Sequence, residues 1–207
     1  MNYASARVND TKLEYAALLA AVLAYSAALN GDKVGLLLYG RKPHFHLPPA
    51  KGMKQCRRIV REILSAPAAG QDDSIDAIAT EILCTQRKRA LVFMISDFLA
   101  APDKKAIGKL NFRHELVPIC LRDPAELQLP EAGVVRFRDP ESGELYEADL
   151  SDEELREEYT RAIIAHGAEW RQIFNQLGID APELKTTDDF IPALRNLFHR
   201  RSRKITR

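Results

Sequence analysis

The chain has 207 residues, 46% of them hydrophobic, and its 30 Lys and Arg residues nearly balance its 29 Asp and Glu residues. This size favours one large domain, and a net charge of +1 excludes a strong overall attraction to nucleic acid or membranes. Three cysteines, far apart in the sequence, exclude a disulfide framework and a cysteine-rich zinc site. The longest weakly polar run, residues 16–29, is shorter than the roughly 20 residues that span a bilayer, so we expect no membrane segment in this chain.

In chain order, predicted helices alternate with predicted strands. A capping-box pattern from Thr11 to Glu14 opens a helix that ends before Gly31. Residues 34–39 form an apolar strand, and residues 44–47 return antiparallel to it at a sheet edge, because the neighbouring prolines cannot donate to a ladder. The remaining patterns predict helices near 51–65, 75–85, 103–110, 151–177 and 189–199, strands at 90–95 and 115–121, and a hairpin of residues 134–138 and 145–148.

Residues 90–95 are an unbroken apolar run that stops at Ser96 and Asp97. Such a run is typical of a strand that is buried on both faces. In α/β sheets ligands gather at the carboxyl ends of the strands, which makes Asp97 the first candidate for a functional residue. An Asp in this position also commonly begins a turn or caps a helix, and the local sequence leaves both interpretations open.

The alternation of helices and buried strands predicts an α/β fold with a mostly parallel, doubly wound sheet and an antiparallel edge hairpin. We divide the chain into an α/β domain over 1–150 and a helical extension over 151–207. The extension ends in a basic tail, and we expect it to pack on the same domain.

The motifs of most catalytic sites are absent from the sequence, including a Gly-rich phosphate loop, a nucleophile elbow and a His-Glu-x-x-His zinc motif. What remains is a possible hard-cation site. Asp73 and Ser74 lie in a loop that can approach the same sheet edge as Ser96 and Asp97. Oxygen ligands of this kind, completed by water, suit Mg²⁺.

Two further patterns favour ordinary surface roles. His44 and His46 share one face of the edge strand, but no third metal ligand lies near them in sequence. The helix over 51–65 has a basic face, and the tail over 200–207 is basic, which would suit nucleic acid. The balanced net charge and the lack of a recognised binding motif argue against that function, so no nucleic-acid partner is expected.

Six blocks occur in a familiar order, at residues 12–16, 30–40, 47–49, 95–98, 121–124 and 139–144. Together they resemble the bacterial "domain of unknown function 58" family. The resemblance covers the chain to about residue 175. Its most specific parts are the Gly-Asp-Lys-Val-Gly-Leu-Leu-Leu block and Ile-Ser-Asp-Phe.

The resemblance implies a von Willebrand factor A-like fold, a three-layer α/β/α sandwich. Domains of that type commonly bind a divalent ion at a metal-ion-dependent adhesion site. Its ligands come from an Asp-x-Ser-x-Ser motif after the first strand, a middle-loop Thr, and an Asp after the fourth strand. Asp97, preceded by Ser96, matches the last of these. The middle-loop position falls at Asp73 or Ser74, neither of which is the expected Thr.

The Asp-x-Ser-x-Ser motif is absent, and Met1 matches a position just after the first strand. In the resembled fold that strand is central, between those matching 34–39 and 90–96. Either the start codon is assigned too far downstream, or 34–39 pairs directly with 90–96. In both cases we expect a remnant of a metal site, at Asp97, Ser96, Asp73 and Ser74. We expect no cofactor in this chain, whereas Mg²⁺ or Mn²⁺ would bind if the missing motif were present.

The resemblance also implies a function. Members of the family are commonly encoded beside MoxR-type AAA+ ATPases, so we expect a cytoplasmic, non-enzymatic protein-interaction module that works with such an ATPase in assembly or chaperone-like activity. The alternative is a divalent-metal-dependent hydrolase that uses the site around Asp97. That alternative predicts further acidic groups at the same sheet edge, with Asp123 and Glu126 as the candidates.

Overall fold

A computed structural model describes residues 12–39, 45–66, 75–99, 102–138 and 144–205. Helices and strands alternate through these ranges, as expected. The helices are α1 (Lys12–Leu29), α2 (Met53–Leu64), α3 (Ile75–Thr85), α4 (Lys104–Arg113), α5 (Pro124–Leu127), α6 (Glu153–Gln176) and α7 (Phe190–Ile205). The strands are β1 (Val34–Leu38), β2 (Phe45–Ala50), β3 (Leu91–Ser96), β4 (Glu115–Arg122), β5 (Val134–Arg138), β6 (Leu145–Asp149) and β7 (Glu183–Lys185).

The strands of the described residues form three separate sheets. β3, β4 and β7 make a parallel sheet in the order β3-β4-β7, whereas β1 pairs antiparallel with β2, and β5 with β6. The α/β class and the antiparallel hairpins are therefore confirmed. The expectation that the β1–β2 hairpin forms the edge of the parallel sheet is wrong for the described residues, and so is the direct pairing of 34–39 with 90–96.

Helices cover both faces of the parallel sheet. Because successive side chains of a strand point to opposite faces, alternate residues of β4 belong to different clusters. Val117, Ile119 and Leu121 pack against α1 and α7, while Leu116 and Cys120 pack against α3, α4 and α6. The parts of α6 and α7 that contact the sheet thus contribute to the same core as the preceding elements. The division of the chain at residue 150 stays a prediction.

The central strand is β4, not the apolar run that dominates the sequence. Every residue of β4 from Leu116 to Arg122 is buried. In β3 only Met94 is buried, and Leu91 is 42% exposed. The expectation that 90–95 is buried on both faces is wrong, because β3 pairs with β4 on one edge and with no other strand of the described residues.

Helix α1 packs against two of the sheets. Tyr15, Leu19 and Leu23 contact the β4 and α7 side of the core, whereas Ala17 and Ala24 pack with β2 and α2. By length and composition α1 is a candidate membrane span, the only one among the described residues. Its contacts with two core clusters favour the interpretation as a core helix.

Two helix ends differ from expectation. The carboxylate of Asp152 caps α6 by accepting from the backbone N–H groups of Glu154 and Leu155, while the Ser151 hydroxyl donates to Asp149. Ser151 and Glu154 fit the sequence pattern of a capping box, which predicts Ser151 as the N-cap; this prediction is wrong, because Asp152 satisfies the donors at the start of α6. α7 continues to Ile205, past the predicted end near residue 199. The Thr11 cap lies outside the described residues.

His114, between α4 and β4, is a residue whose burial lowers the stability of the fold. It is fully buried, and neither ring nitrogen has a hydrogen-bond partner among the described residues. Burial lowers the pKa of His114 from 6.5, and the positive charges of Arg113 and Arg89 lower it further. The folded chain therefore holds this imidazole neutral at pH values where the unfolded chain protonates it.

We expect His114→Leu to reduce the loss of stability at acid pH. In the wild type, a lowered folded pKa means that the free energy of unfolding falls as the pH drops below about 6.5, since the unfolded state binds more protons. Urea unfolding at about pH 7.5 and about pH 5.5 measures the loss, with exposed His46→Leu as the control. An equal acid loss in His114→Leu and wild type would contradict the assignment.

Candidate functional site

Polar side chains follow all three strands of the parallel sheet at its carboxyl edge. Asp97 comes directly after β3, Asp123 after β4 and Thr186 after β7. Ser96 pairs with Cys120, and Arg122 pairs with Lys185, so the strand ends lie side by side. This is the edge of a parallel sheet at which ligands collect in α/β folds.

A tight turn after β3 fixes the position of Asp97. The Phe98 N–H donates to the Ser96 hydroxyl at 3.1 Å, and the Phe98 carbonyl accepts from His166 Nε2 at 2.7 Å. Phe98 has a positive φ of 48°, a strained conformation for an aromatic residue. Burial of its ring against Trp170, with ring centroids 5.5 Å apart, holds the residue there.

The Asp97 carboxylate faces a buried cation from the start of α1. Lys12 is only 1% exposed, and its Nζ lies 3.5 Å from Asp97 Oδ2. The same ammonium contacts Glu126 Oε1 more closely. The Asp97 and Glu126 side chains are 20% and 17% exposed, so the ion-paired group lies at the rim of the core.

The local sequence Asp123-Pro124-Ala125-Glu126 explains how Glu126 reaches this point. Glu126 Oε2 accepts from the Asp123 N–H at 3.2 Å, which is the reciprocal half of a capping box. Pro124 begins α5, where its missing N–H costs nothing. The cap leaves Glu126 Oε1 directed at Lys12, and the Tyr159 hydroxyl anchors the turn by donating to the Glu126 carbonyl at 3.0 Å.

Asp123 lies on the buried side of the same sheet edge. It is fully buried, and its Oδ2 accepts from the Thr186 hydroxyl at 3.3 Å. The Thr186 N–H donates to the Arg122 carbonyl at 2.9 Å, which extends the β4–β7 ladder by one bond. Asp123 and Thr186 thus join two strand ends.

The cysteine at this edge is not an activated nucleophile. Cys120 is fully buried in β4, and its Sγ lies 3.8 Å from the Asp97 carbonyl. Burial, the largest effect, raises the pKa of the thiol to about 12. Cys120 is therefore a protonated core residue, and thiolate chemistry is excluded at this position.

The structure brings together some of the predicted site residues. Asp97 lies at the sheet edge as expected, and Glu126 joins it through Lys12. The Ser96 hydroxyl is engaged in the turn after β3. Asp73, Ser74 and His44 lie outside the described residues, and His46 is an exposed residue of β2.

Lys12 was missed as a site residue by the sequence analysis. Lys12 could have been recognised from the sequence of α1, because Lys12 and Glu14 are the only charged residues of this apolar helix. A lysine at the buried start of an apolar helix needs an acidic partner. The sequence gives no indication of which carboxylates supply the partner, since Asp97 and Glu126 are far away in the chain.

The described residues around Asp97 do not fit a divalent ion. Such an ion takes about six oxygen ligands, including carboxylates that point at the metal. Here the inward oxygens of Asp97 and Glu126 point at the Lys12 ammonium. Across the part of the chain that the structure describes, no group of three or more His, Cys, Asp and Glu side chains could hold a metal ion.

These features define an α/β protein with a parallel sheet, covered on both faces, whose carboxyl edge carries an ion-paired acidic site. The profile of the family "Protein of unknown function DUF58" matches residues 1–169. Because this match covers most of the chain, the chain belongs to that family.

Similar curated proteins come from mycobacteria. Uncharacterized protein Rv1480 of Mycobacterium tuberculosis and Uncharacterized protein Mb1516 of Mycobacterium bovis are each 28% identical over 183 residues, or 87% of this chain and 57% of the relative. Uncharacterized protein MAV169 of Mycobacterium avium is 28% identical over 148 residues, 70% of this chain and 87% of the relative. The chain thus spans little more than half the length of the first two. No solved structure matches the chain significantly.

Proposed function

We propose that the chain is a non-enzymatic protein-interaction module with von Willebrand factor A-like architecture, which works with a MoxR-type AAA+ ATPase in assembly or chaperone-like activity. We place it in the cytoplasm, with a protein partner and without nucleic acid, membrane or metal ligands. The observation that carries this proposal is the open edge of β3. Among the described residues, this apolar strand pairs on one side only.

The arrangement around α1 supports the architectural part of the proposal. β1 and β3 each have a single partner strand among the described residues, and α1 packs on both of their sheets. A von Willebrand factor A-like sandwich has one further strand between them, and in this proposal an extended segment of the partner takes that place. Both strands are apolar, apart from Ser96 at the end of β3, which is typical of strands with neighbours on both sides.

The exposed edge of β3 supports the interaction part of the proposal. An unpaired apolar edge is a template for an added strand, and proteins generally protect such edges with charge, proline or a covering element. Apart from its last residue, Ser96, β3 has only apolar side chains. A partner that adds an extended segment would gain main-chain hydrogen bonds and apolar contacts together.

The hydrolase alternative has less support. A general base or metal ligand at Asp97 would need a carboxylate available to substrate, whereas Asp97 and Glu126 share the ammonium of Lys12. Asp123, the other candidate, is fully buried and accepts from Thr186. The contacts of these three carboxylates are those of a structural cluster.

We expect Leu91→Lys to weaken binding of the chain to a MoxR-type ATPase from the same genome. Leu91 is 42% exposed on β3, and a lysine there would oppose strand addition without changing the core. Binding of the two purified proteins, measured by biolayer interferometry, should weaken about tenfold or more, which is about 1.4 kcal/mol. Leu64→Lys is the matched control, because Leu64 is an exposed leucine on α2.

Two results would contradict the proposal. If the wild-type chain shows no saturable binding to the ATPase, the ATPase is not its partner. If wild type, Leu91→Lys and Leu64→Lys bind the ATPase equally, the ATPase is a partner but does not contact the β3 edge.

A further inference from the structure

A group of exposed cations lies at the amino edge of the parallel sheet, at the other end of the strands from the ion-paired acidic site. Three members come from the segment before β3 and two from the last turn of α4: Arg87, Lys88, Arg89, Lys109 and Arg113. The two segments are in contact, because an Arg113 guanidinium N–H donates to the Arg87 carbonyl at 3.3 Å. The charges of Arg89 and Arg113 both act on the buried His114. We call these five residues the basic cluster.

The positive charge of the basic cluster is not balanced locally. Residues 82–96 contain no acidic residue, and Glu115 is the only acidic residue in 104–122. No side chain of the cluster forms an ion pair with a carboxylate of the described residues. The net charge of the whole chain is only +1, so the cluster is a local excess. A surface of one sign attracts a partner of the opposite sign.

The basic cluster also contains an exposed aromatic side chain. Phe112 is 91% exposed, the highest value among the large hydrophobic residues that the structure describes. It follows Lys109 by three residues on α4 and directly precedes Arg113. Ile107 and Leu110 are the residues of α4 that enter the core, so Phe112 points away from it. Aromatic and arginine side chains together are typical of the residues that contribute most to protein interfaces.

The basic cluster is continuous with the open edge of β3. β3 begins at Leu91, two residues after Arg89, and Leu91 is 42% exposed. A segment that adds to this edge therefore runs beside Leu91 and then reaches the cations. Its apolar part would cover β3, and the residues beyond that part would lie over the basic cluster.

We propose that the basic cluster and Phe112 form a docking surface for an acidic segment of the partner protein, with an apolar side chain of that segment against Phe112. This inference rests on the proposed function, because it places the segment next to the β3 edge. It adds the chemistry of the partner, which is an apolar stretch for β3 continued by carboxylates for the cations. An anionic membrane or a nucleic acid would also meet the cations, but neither would continue a strand added to β3.

The test uses the full chain and a fluorescently labelled peptide of about eight residues in which Glu and Leu alternate. Fluorescence anisotropy should give a Kd of about 100 μM or tighter at about 50 mM salt. The matched peptide with Lys in place of each Glu should not bind, because its charge has the same sign as that of the cluster.

Substitutions in the chain locate the binding. Lys88→Glu combined with Arg89→Glu should weaken peptide binding about tenfold or more. Lys54→Glu combined with Arg57→Glu is the matched control, because it changes the net charge equally at two exposed cations of α2, which packs against α1 and β2. Phe112→Ser should weaken binding about threefold or more. Ile164→Ser is its control, since Ile164 is 64% exposed on α6.

Each of several results would overturn the inference. These are no peptide binding at about 1 mM chain, equal weakening by the two pairs of charge reversals, and an unchanged Kd in Phe112→Ser. Tighter binding of phosphatidylserine vesicles or duplex DNA than of the peptide, lost in the Lys88→Glu, Arg89→Glu variant, would assign the cluster to a membrane or a nucleic acid instead.

The ATPase distinguishes this inference from the proposed function. If the peptide binds as expected but the wild-type chain does not bind the ATPase, the proposed partner is wrong and the acidic-segment chemistry is supported. If the ATPase binds wild type and the Lys88→Glu, Arg89→Glu variant equally, the inference is wrong and the proposed partner is supported.

Discussion

Replacement of Trp170 by alanine is expected to lower the free energy of unfolding by about 3–5 kcal/mol. Trp170 is fully buried on α6, where its ring stacks on Phe98 and meets Phe174 edge-on with centroids 6.0 Å apart. The substitution removes the largest side chain of the core cluster between α6, α4 and the parallel sheet. It also removes the support of the strained Phe98 turn, so Asp97 should lose its fixed position.

The measurement for Trp170→Ala is urea unfolding followed by far-ultraviolet circular dichroism, because Trp170 is the only tryptophan and its fluorescence is lost in the variant. Trp170→Phe is the matched control. It keeps an aromatic ring and removes an indole N–H that has no partner among the described residues, so we expect it to cost less than about 1.5 kcal/mol. A loss below about 1 kcal/mol for Trp170→Ala would show that this cluster is not the core described here.

Removal of the Glu126 carboxylate is expected to cost about 3 kcal/mol, because it leaves the buried Lys12 ammonium with a longer and weaker contact. Among the described residues, Lys12 then retains only Asp97, at 3.5 Å, and the Asp123 N–H loses its capping acceptor. Glu126→Ala measures this by urea unfolding. Glu157→Ala is the control, since Glu157 forms an ion pair with Arg161 in which both side chains are more than 60% exposed, and it should change stability by less than about 0.5 kcal/mol.

A double-mutant cycle separates the ion pair from the capping bond. Lys12→Met and Glu126→Gln, alone and together, should be non-additive by about 2 kcal/mol, since the two side chains are in contact. Additive effects would mean that the two residues stabilise the fold independently. That result would contradict the ion-paired site even if each single substitution is destabilising.

The sequence was informative where the signal is local. Gly31 and Gly178 have the positive φ values of 75° and 67° that the predicted ends of α1 and α6 require. Asp123 and Glu126 lie at the carboxyl edge of the sheet, as the sequence predicts, because one cap holds Glu126 beside the end of β4. Such predictions succeed because the residues that decide them are neighbours in the chain.

Predictions that depend on neighbours in space were less accurate. The run at 90–95 has a more continuous apolar pattern than β4, which contains Glu115 and Pro118, yet β4 is central. Strand order depends on β7, a three-residue strand after Pro182 that has no periodic pattern to detect. Lys12 likewise acquires its role only when α1 reaches the sheet edge.

Calorimetric titration of Mn²⁺ into the wild-type chain shows whether Asp97 and Glu126 are available to a metal ion. We predict no saturable heat up to about 1 mM Mn²⁺, because Lys12 already satisfies both carboxylates. Binding of one ion per chain with a micromolar Kd, abolished by Asp97→Ala, would contradict it.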